Sequence, residues 1–403
     1  MDDAKLDAMR RSFNIIETRK KKLLKDENER IGKLQERVKK IREYSIGNLE
    51  ELIETAKTRF LENGMEVIFA ENSQVALDEI YKLIKDESII AKSKSNNVNE
   101  IGLSAFLGSK GIEIVETDLG DRIVQMDPES YGPSHPIGPA AHLDMEKIAQ
   151  IASKKFGVDV KPEPKSILNI FKADIIERLA NCNVGITGAN SVAAEDGALV
   201  MVHNEGNISL VSMKDTHIVV VGIDKLVRTV EDAVSVVKLE TIFATGKKIP
   251  AYMNVITSPS KTADIEQVLL KDMYGAKRVI VILLDNGRSE ALKQSKECLL
   301  CIGCGSCIVS CPVYNVTGSD FGYRGYLGGR GIVLSNFITD NKICFDSGLF
   351  KCTLCGLCTL ECPVNIKTNE MIEKLREMSV QSGVCPDQHH GTTEKIKKQG
   401  SPF

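Results

Sequence analysis

The sequence predicts an α/β protein with an N-terminal helical segment and a C-terminal α-helical module that is rich in cysteine. Three observations predict this order. The first part is rich in Lys and Glu and contains no proline, short apolar runs alternate with helical stretches through the middle, and eight cysteines gather in two runs near the end. We place the boundaries at 1–62 for the helical segment, 63–290 for the α/β domain, 291–375 for the cysteine module and 376–403 for a tail.

The N-terminal segment carries apolar residues at three- and four-residue spacing, which puts them on one face of a helix. These residues are Met9, Phe13, Ile16, Leu34, Val38 and Ile41. We expect an amphipathic helical segment whose apolar stripe docks on the body of the protein or on a second chain.

The middle of the chain alternates strand-like and helical patterns. Apolar runs predict strands at 65–70, 88–91, 112–116, 198–202, 217–221 and 278–284, and a capped helical pattern covers 73–85. Near-continuous apolar strands are typical of a sheet covered on both faces. The stretch 154–174, with two prolines, predicts a connection before a helix that contains residues 175–179, and 382–403 predicts a loose tail.

The two cysteine runs share the pattern C-x2-C-x2-C-x3-C-P, which is typical of a protein that binds two cubane 4Fe-4S clusters. In this pattern three thiolates of one run and the fourth of the other run hold each cluster. The first cluster is therefore assigned to Cys301, Cys304, Cys307 and Cys362, and the second to Cys352, Cys355, Cys358 and Cys311. Two neighbouring clusters predict a path for electrons.

Two alternatives compete with the clusters. Paired C-x-x-C units also hold structural zinc, although zinc gives no reason for the repeated x3-C-P. A disulfide framework is less consistent with a long chain whose thiols cluster as metal ligands do. Four cysteines lie outside the runs: we expect Cys298 to be idle, and Cys182, Cys344 and Cys385 to be buried small hydrophobes.

Composition excludes several classes of protein. Fifty-two basic residues against 55 acidic ones leave a formal charge of −3, so no overall electrostatic footprint for nucleic acid is present. No apolar stretch approaches the ~20 residues of a transmembrane helix. The opening residues lack the basic and apolar regions of an export signal, so we expect a soluble cytoplasmic protein.

Several blocks of the middle domain carry a family resemblance: 116–121 (ETDLGD), 133–135 (PSH), 139–142 (PAAH), 185–190 (GITGAN), 195–197 (EDG), 204–207 (NEGN) and 284–289 (LDNGRS). Together they resemble the LUD (lactate utilization) domain. Their position before a double cysteine run resembles the lactate-utilization iron-sulfur protein B family. The resemblance covers residues from about 60 to 375.

The resemblance implies an α/β LUD domain similar to the sugar-isomerase and CoA-transferase fold, followed by an α-helical ferredoxin domain. It also implies membership of a multi-subunit complex that oxidises lactate to pyruvate. The implied partners are a CCG-domain protein of the heterodisulfide-reductase type, a second LUD-type protein or a flavin dehydrogenase.

The LUD-like blocks also supply candidate polar residues for chemistry: Lys92, Lys94, Glu116, Asp118, His135, His142, Asn190, Glu195, Asn204 and Glu205. Glu195 resembles the glutamate nucleophile that precedes a glycine in CoA-transferases, and a solvated or hydrogen-bonded carboxylate is the alternative. His135 is a candidate to orient an acid substrate or shuttle protons, and an ordinary hydrogen-bonding histidine is the alternative.

The stretch 185–190 is a candidate anion site through Gly185, Gly188 and Asn190, because backbone N–H groups of a glycine-rich loop bind anions. It lacks the G-x-G-x-x-G order of a dinucleotide site and the G-K-[ST] ending of a P-loop. A plain turn is the alternative.

Three functions remain open at this point. The favoured one is an electron-transfer subunit. The second makes the LUD-like domain itself catalytic on a small carboxylate or thioester, and the third is an electron relay for a heterodisulfide-reductase-like thiol/disulfide partner. Hydride chemistry in this chain is not expected, because the sequence has no flavin or nicotinamide fingerprint.

Overall fold

The computed structural model of the chain describes residues 2–127 and 132–402. The N-terminal segment forms three helices: α1 (Asp3–Asp26), α2 (Asn28–Gly47) and α3 (Leu49–Glu62). The side chain of Asp2 caps α1 by accepting a hydrogen bond from the Lys5 N–H at 2.9 Å. The apolar stripe docks on the body of the protein, because Met9, Phe13 and Val38 are buried in the same core as the cysteine module.

The chain then alternates strands and helices, as the sequence predicts. In chain order these elements are β1 (Glu66–Ala70), α4 (Ser73–Ile84), β2 (Ile89–Lys92), α5 (Asn96–Glu100), α6 (Leu103–Ser109), β3 (Glu113–Glu116), α7 (Leu119–Met126), α8 (Met145–Phe156), α9 (Pro164–Leu179), β4 (Val184–Thr187), β5 (Ser191–Ala193), β6 (Ala198–His203), α10 (Asn207–Ser212), β7 (Thr216–Gly222), β8 (Leu226–Val227), α11 (Val230–Thr245), β9 (Tyr252–Ile256), β10 (Lys261–Thr262), β11 (Leu270–Lys271) and β12 (Arg278–Leu284).

Six of these strands form one parallel sheet in the order β1-β12-β7-β4-β2-β3. Its two faces lie in different cores, since Val219 and Val221 of β7 pack with α3, whereas Ile218 and Val220 pack with α4 to α6. Burial on both faces explains why the strand sequences are continuously apolar rather than alternating.

A second sheet has four strands in the order β8-β5-β6-β9. The apolar run at 198–202 belongs to this sheet as β6, not to the parallel sheet. Ala198 and Val200 face the core shared with the cysteine module, and Leu199 and Met201 face the parallel sheet. Both faces of β6 are therefore covered, so its sequence looks the same as that of a parallel strand.

The C-terminal part of the chain is made of short helices and one small hairpin. These elements are α12 (Arg288–Ser295), α13 (Ser306–Val309), α14 (Tyr314–Thr317), β13 (Gly322–Tyr323), β14 (Tyr326–Leu327), α15 (Gly328–Ile338), α16 (Asn341–Asp346), α17 (Leu357–Leu360), α18 (Thr368–Gln381) and α19 (Asp387–Gln399). No helix among the described residues combines the length and the apolar character needed to cross a membrane.

Two secondary-structure predictions are wrong. The predicted connection at 154–174 is mostly helical, because α8 continues to Phe156 and α9 begins at Pro164. Pro164 occupies the first helical position, where its missing N–H has no helical partner to lose, so this proline marks a helix start. The predicted loose tail contains the exposed helix α19, which begins directly after Pro386.

Candidate iron-sulfur centre and the adjoining cleft

The two cysteine runs adopt the same local form. Gly305 (φ 71°) and Gly356 (φ 76°) are left-handed and stand directly before α13 and α17. Two steps earlier, Gly303 (φ 82°) and Leu354 (φ 56°) are also left-handed. These left-handed turns wrap the backbone around the thiols, and glycine adopts them without the strain that a Cβ causes.

Backbone N–H groups of these loops point at sulfur atoms. The Gly303 N–H donates to Cys301 Sγ at 3.4 Å, and the Leu354 N–H donates to Cys352 Sγ at the same distance. In addition, the Tyr314 N–H donates to Cys311 Sγ at 3.5 Å. Hydrogen bonds of this kind stabilise a thiolate, and they tune the potential of an iron-sulfur cluster.

Burial and neighbouring thiols raise the pKa of five of the eight thiols, and most of these interactions fall within the two predicted sets of four. In the first set, burial raises the pKa of Cys304 and Cys307, and negative charge on Cys301 and Cys362 raises it further. In the second set, burial raises the pKa of Cys311, and Cys352 and Cys358 raise it further. Burial likewise raises the pKa of Cys358, with Cys352 and Cys355 adding to the effect. Cys358 of the second predicted set also raises the pKa of Cys307 in the first, so the two sets adjoin each other.

The donor chemistry of both sets fits a 4Fe-4S cluster. Seven of the eight thiols are partly or fully buried. Clustered thiols repel one another as thiolates and need a compensating cation, and a cluster offers one iron to each of its four sulfur ligands. Among the described residues, no group of three or more His, Cys, Asp or Glu side chains is arranged to hold a single metal ion.

The two sets differ in depth. Cys304 is buried, whereas Cys355 is exposed and lies beside the exposed side chains of Leu357 and Leu360. The first set is further enclosed by α1, because the ammonium of Lys20 donates to Ser306 Oγ at 2.8 Å and pairs with Glu361 at 2.6 Å. The first set therefore includes the buried thiol and the second the exposed one, while the other six thiols are partly buried.

A polar cleft of about 250 Å³ lies beside the first cysteine loop. It opens at the carboxyl ends of β2, β3 and β4, which is where open parallel sheets bind ligands. Its walls include Lys94, Asp118, Asn190, Glu205 and the loop residue Gly303. The cleft therefore connects the α/β domain with the loop that carries Cys301 and Cys304.

The cleft also contains two ionisable residues that sequence reasoning missed, Lys225 and Glu240. Asn190 Nδ2 donates to both carboxyl oxygens of Glu240, at 3.0 and 3.1 Å, and burial raises the pKa of Glu240 to about 7. Lys225 follows the end of β7, and Glu240 lies in the middle of α11. No local motif surrounds either residue, so only the folded chain brings them to Gly303.

Comparison with known proteins assigns both parts of the molecule. The model of the LUD domain matches residues 53–284, and the model of the 4Fe-4S dicluster domain matches residues 297–366. Lactate utilization protein B of Macrococcus caseolyticus is 33% identical over 345 residues, which is 85% of this chain and 70% of that protein. The chain belongs to the lactate utilization protein B family.

Other relatives agree with this membership. Lactate utilization protein B of Anoxybacillus flavithermus is 32% identical over 85% of this chain and 71% of that protein. The uncharacterized electron transport protein YkgF of Escherichia coli is 30% identical over 87% of this chain and 72% of that protein. A crystal structure of a duf162 family protein from Deinococcus radiodurans covers 59% of this chain and 98% of its own, at 14% identity and a TM-score of 0.32, which is too distant to inform the fold.

Only part of the candidate anion site at 185–190 lies at the cleft. Gly188 and Asn190 line the cleft. Gly185 instead lies inside β4, and a Cβ there would approach Val211 O to 2.0 Å. Gly185 is therefore needed for close packing of β4 on α10, and it does not face the cleft.

Half of the ten candidate polar residues of the LUD domain line the cleft. These five are Lys94, Asp118, Asn190, Asn204 and Glu205. Lys94 pairs with Asp118 at 3.0 Å. Lys92 and Glu116 instead form a separate buried ion pair at 2.8 Å.

The two residues proposed for catalysis lie elsewhere. Glu195 has a half-exposed side chain that pairs weakly with Arg228 at 3.7 Å, and it is not among the described residues that line the cleft. His135 is buried, and burial lowers its pKa to about 4. Its ring packs against the Cα of Gly305 in the first cysteine loop. His142 is also buried, and burial lowers its pKa.

The cysteines outside the runs behave largely as expected for structural thiols. Cys298 is fully buried, and burial raises its pKa to about 11, so it is inert as a nucleophile. Cys182 and Cys344 are also buried, whereas Cys385 is only partly buried.

Proposed function

We propose that the chain is the iron-sulfur electron-transfer subunit of a multi-subunit oxidoreductase that is coupled to the oxidation of lactate to pyruvate. The observation that supports this proposal is that the fourth thiol of each run interacts electrostatically with thiols of the other run: Cys362 with Cys301, and Cys311 with Cys352 and Cys358. The names of the relatives, lactate utilization protein B and an electron transport protein, supply the pathway and the electron-transfer role.

In this proposal the first cluster is held by one set of thiols and the second cluster by the other. The first set is Cys301, Cys304, Cys307 and Cys362, and the second is Cys352, Cys355, Cys358 and Cys311. A bound 4Fe-4S cluster supplies one-electron redox chemistry. The chain itself holds the thiolates at fixed positions, donates N–H groups to sulfur and controls access of water.

The two sets differ in their burial, and this difference indicates where a partner can exchange electrons with the protein. The first set lies beside the cleft, and the second set carries the exposed Cys355. We infer that an electron partner docks near Cys355, and that this partner is a CCG-domain protein, a second LUD-type protein or a flavin dehydrogenase. A cytoplasmic location agrees with this role, because thiolate ligands must stay reduced.

We assign a role to each part of the chain by the boundaries drawn from the sequence. The electrons pass through residues 291–375, and the LUD domain is formed by residues 63–290. Both parts are covered by the helical segment 1–62, and the tail is residues 376–403. Helix α18 crosses the last of these boundaries.

Elemental analysis of the anaerobically purified chain tests the proposal. Two cubane clusters predict about eight irons and about eight sulfides per chain, with visible absorption that dithionite bleaches. Zinc bound to the same thiols, without sulfide and without a reducible chromophore, would overturn it.

Purification of the native complex tests the coupling to lactate. We expect the co-purifying proteins to include a lactate-oxidising partner, and we expect L-lactate to reduce the clusters of the intact complex. Co-purification with a thiol/disulfide reductase instead, and no reduction by lactate, would contradict this part of the proposal.

A further inference from the structure

The cleft beside the first cysteine loop carries one cation without a salt-bridge partner. Lys225 Nζ makes no salt bridge within 4.0 Å of any carboxylate that the structure describes, although Lys225 is only partly exposed and lines the cleft. By contrast, the other lysine of the cleft, Lys94, is neutralised by Asp118 at 3.0 Å. Glu240 and Asp224 interact with Lys225 only beyond salt-bridge distance, so the ammonium is available to pair directly with an anionic ligand.

Lys225 and Glu240 both lie close to Gly303 of the first cysteine loop. A Cβ on Gly303 would lie 3.5 Å from Lys225 Nζ and 3.7 Å from Glu240 Oε1. The side chains of Lys225 and Glu240 therefore converge on the backbone of the first cysteine loop. Glu240 is fixed there by the amide of Asn190, so the site has a cation and a positioned hydrogen-bonding group side by side.

The rest of the cleft limits the charge and the size of its ligand. Asp118 and Glu205 lie on its walls, and their proximity raises the pKa of Glu205 in addition to the effect of burial. A ligand with a second negative charge would meet these carboxylates. A volume of about 250 Å³ is also below the usual range of drug-sized ligand sites.

We propose that this cleft binds one small monocarboxylate, with the carboxylate on Lys225 and an adjacent hydroxyl group donating a hydrogen bond to Glu240. The inference deepens the proposed function, because it places a ligand of that chemical class against the backbone that carries Cys301 and Cys304. It depends on the proposed function only for the role of the clusters, since binding itself needs the cleft alone.

Anaerobic calorimetry on the full-length, cluster-loaded chain tests the site. The probes are sodium pyruvate, sodium L-lactate and inorganic phosphate. We expect saturable binding of L-lactate, weaker binding of pyruvate because it has no hydroxyl to donate to Glu240, and binding of phosphate that is at least about tenfold weaker than that of L-lactate because of its second charge. No saturable binding of either monocarboxylate, or tighter binding of phosphate, would overturn the proposal.

Variants locate the binding. Lys225→Gln should weaken binding by about tenfold or more, whereas Lys225→Arg should restore most of it. Lys161→Gln, at an exposed lysine outside the cleft, should bind as the unchanged chain does. If Lys225→Gln keeps its iron and binds the monocarboxylate as tightly as the unchanged chain does, the proposed site is refuted and the electron-transfer role stands. If the chain binds the monocarboxylate but proves to hold no iron-sulfur cluster, the site stands and the electron-transfer role is refuted.

Discussion

Gly303 and Leu354 occupy the same step of the two cysteine loops, and both are left-handed. A left-handed conformation costs a residue with a Cβ roughly 1 kcal/mol or more. The first loop avoids this cost by using glycine. In the second loop the Leu354 side chain packs against the hydrophobic core, and this contact offsets part of the cost.

Crossed ligation predicts how paired cysteine substitutions combine. Cys301→Ala with Cys362→Ala removes two ligands of one proposed cluster, although the residues belong to different runs. This pair should lose about four irons, whereas Cys301→Ala with Cys311→Ala damages both clusters and should lose about eight. Iron analysis of the two variants measures the difference. The opposite order, with the greater loss in the first pair, would show that each run holds its own cluster.

We expect His217, in the parallel sheet, to make the free energy of unfolding depend on pH in the acidic range. Burial lowers its pKa from 6.5 to about 3. An unfolded chain takes up this proton below pH 6.5, but the folded chain does not until about pH 3, so the free energy of unfolding falls as the pH falls between these values. The loss approaches about 1.4 kcal/mol per pH unit.

Urea unfolding of cluster-loaded protein at pH 6.5 and at pH 5 measures this dependence. His217→Gln should weaken the pH dependence, because glutamine takes up no proton. His390→Gln, at an exposed histidine of α19, serves as the control and should follow the unchanged chain. A wild-type pH dependence in His217→Gln would contradict the assignment.

At the scale of elements, the N-terminal helices are part of the core rather than an appendage. Phe13 of α1 is buried, with its ring centroid 5.1 Å from that of His135 and 6.3 Å from that of Tyr314. It therefore joins α1 to the α/β domain and to the helix that follows the first cysteine run. Enclosure of the first cluster depends on this helix.

Phe13→Ala should lower the free energy of unfolding by about 3–5 kcal/mol, because it leaves a cavity where three parts of the molecule meet. Ile15→Ala removes an apolar side chain from the exposed face of the same helix, and its effect should stay within about 0.5 kcal/mol. Chemical denaturation of both variants measures the difference. Similar effects of the two substitutions would mean that α1 does not pack on the body in solution.

Local pattern was enough to predict most of the elements that build the fold. The apolar runs of β1, β7 and β12 give the parallel sheet, and the cysteine spacing gives the two sets of thiols. The placement of β6 in the second sheet was not predictable, because a strand that is covered on both faces has a continuously apolar sequence in either sheet. The cleft was only half predictable, because Lys225 and Glu240 reach Gly303 through tertiary contacts that leave no periodic signal.

At the scale of the whole molecule, a buried polar network fixes the cysteine module to the parallel sheet. Arg288 is buried and donates to both carboxylate oxygens of Glu100, at 2.8 and 2.9 Å, and also pairs with Asp224. Tyr326 of the cysteine module donates to the same carboxylate at 2.7 Å. Because each buried charge in this network has a partner, the cleft and the first set of thiols keep a fixed relation.

If both cysteine runs together hold two clusters through which electrons pass, the chain should accept one electron at each cluster. A coulometric redox titration of the anaerobic full-length chain, followed by EPR, measures this capacity. We expect uptake of about two electrons per chain in one-electron steps, with the signal of the fully reduced state broadened by interaction between neighbouring clusters. Uptake of one electron or none, or a single unbroadened signal, would contradict this expectation.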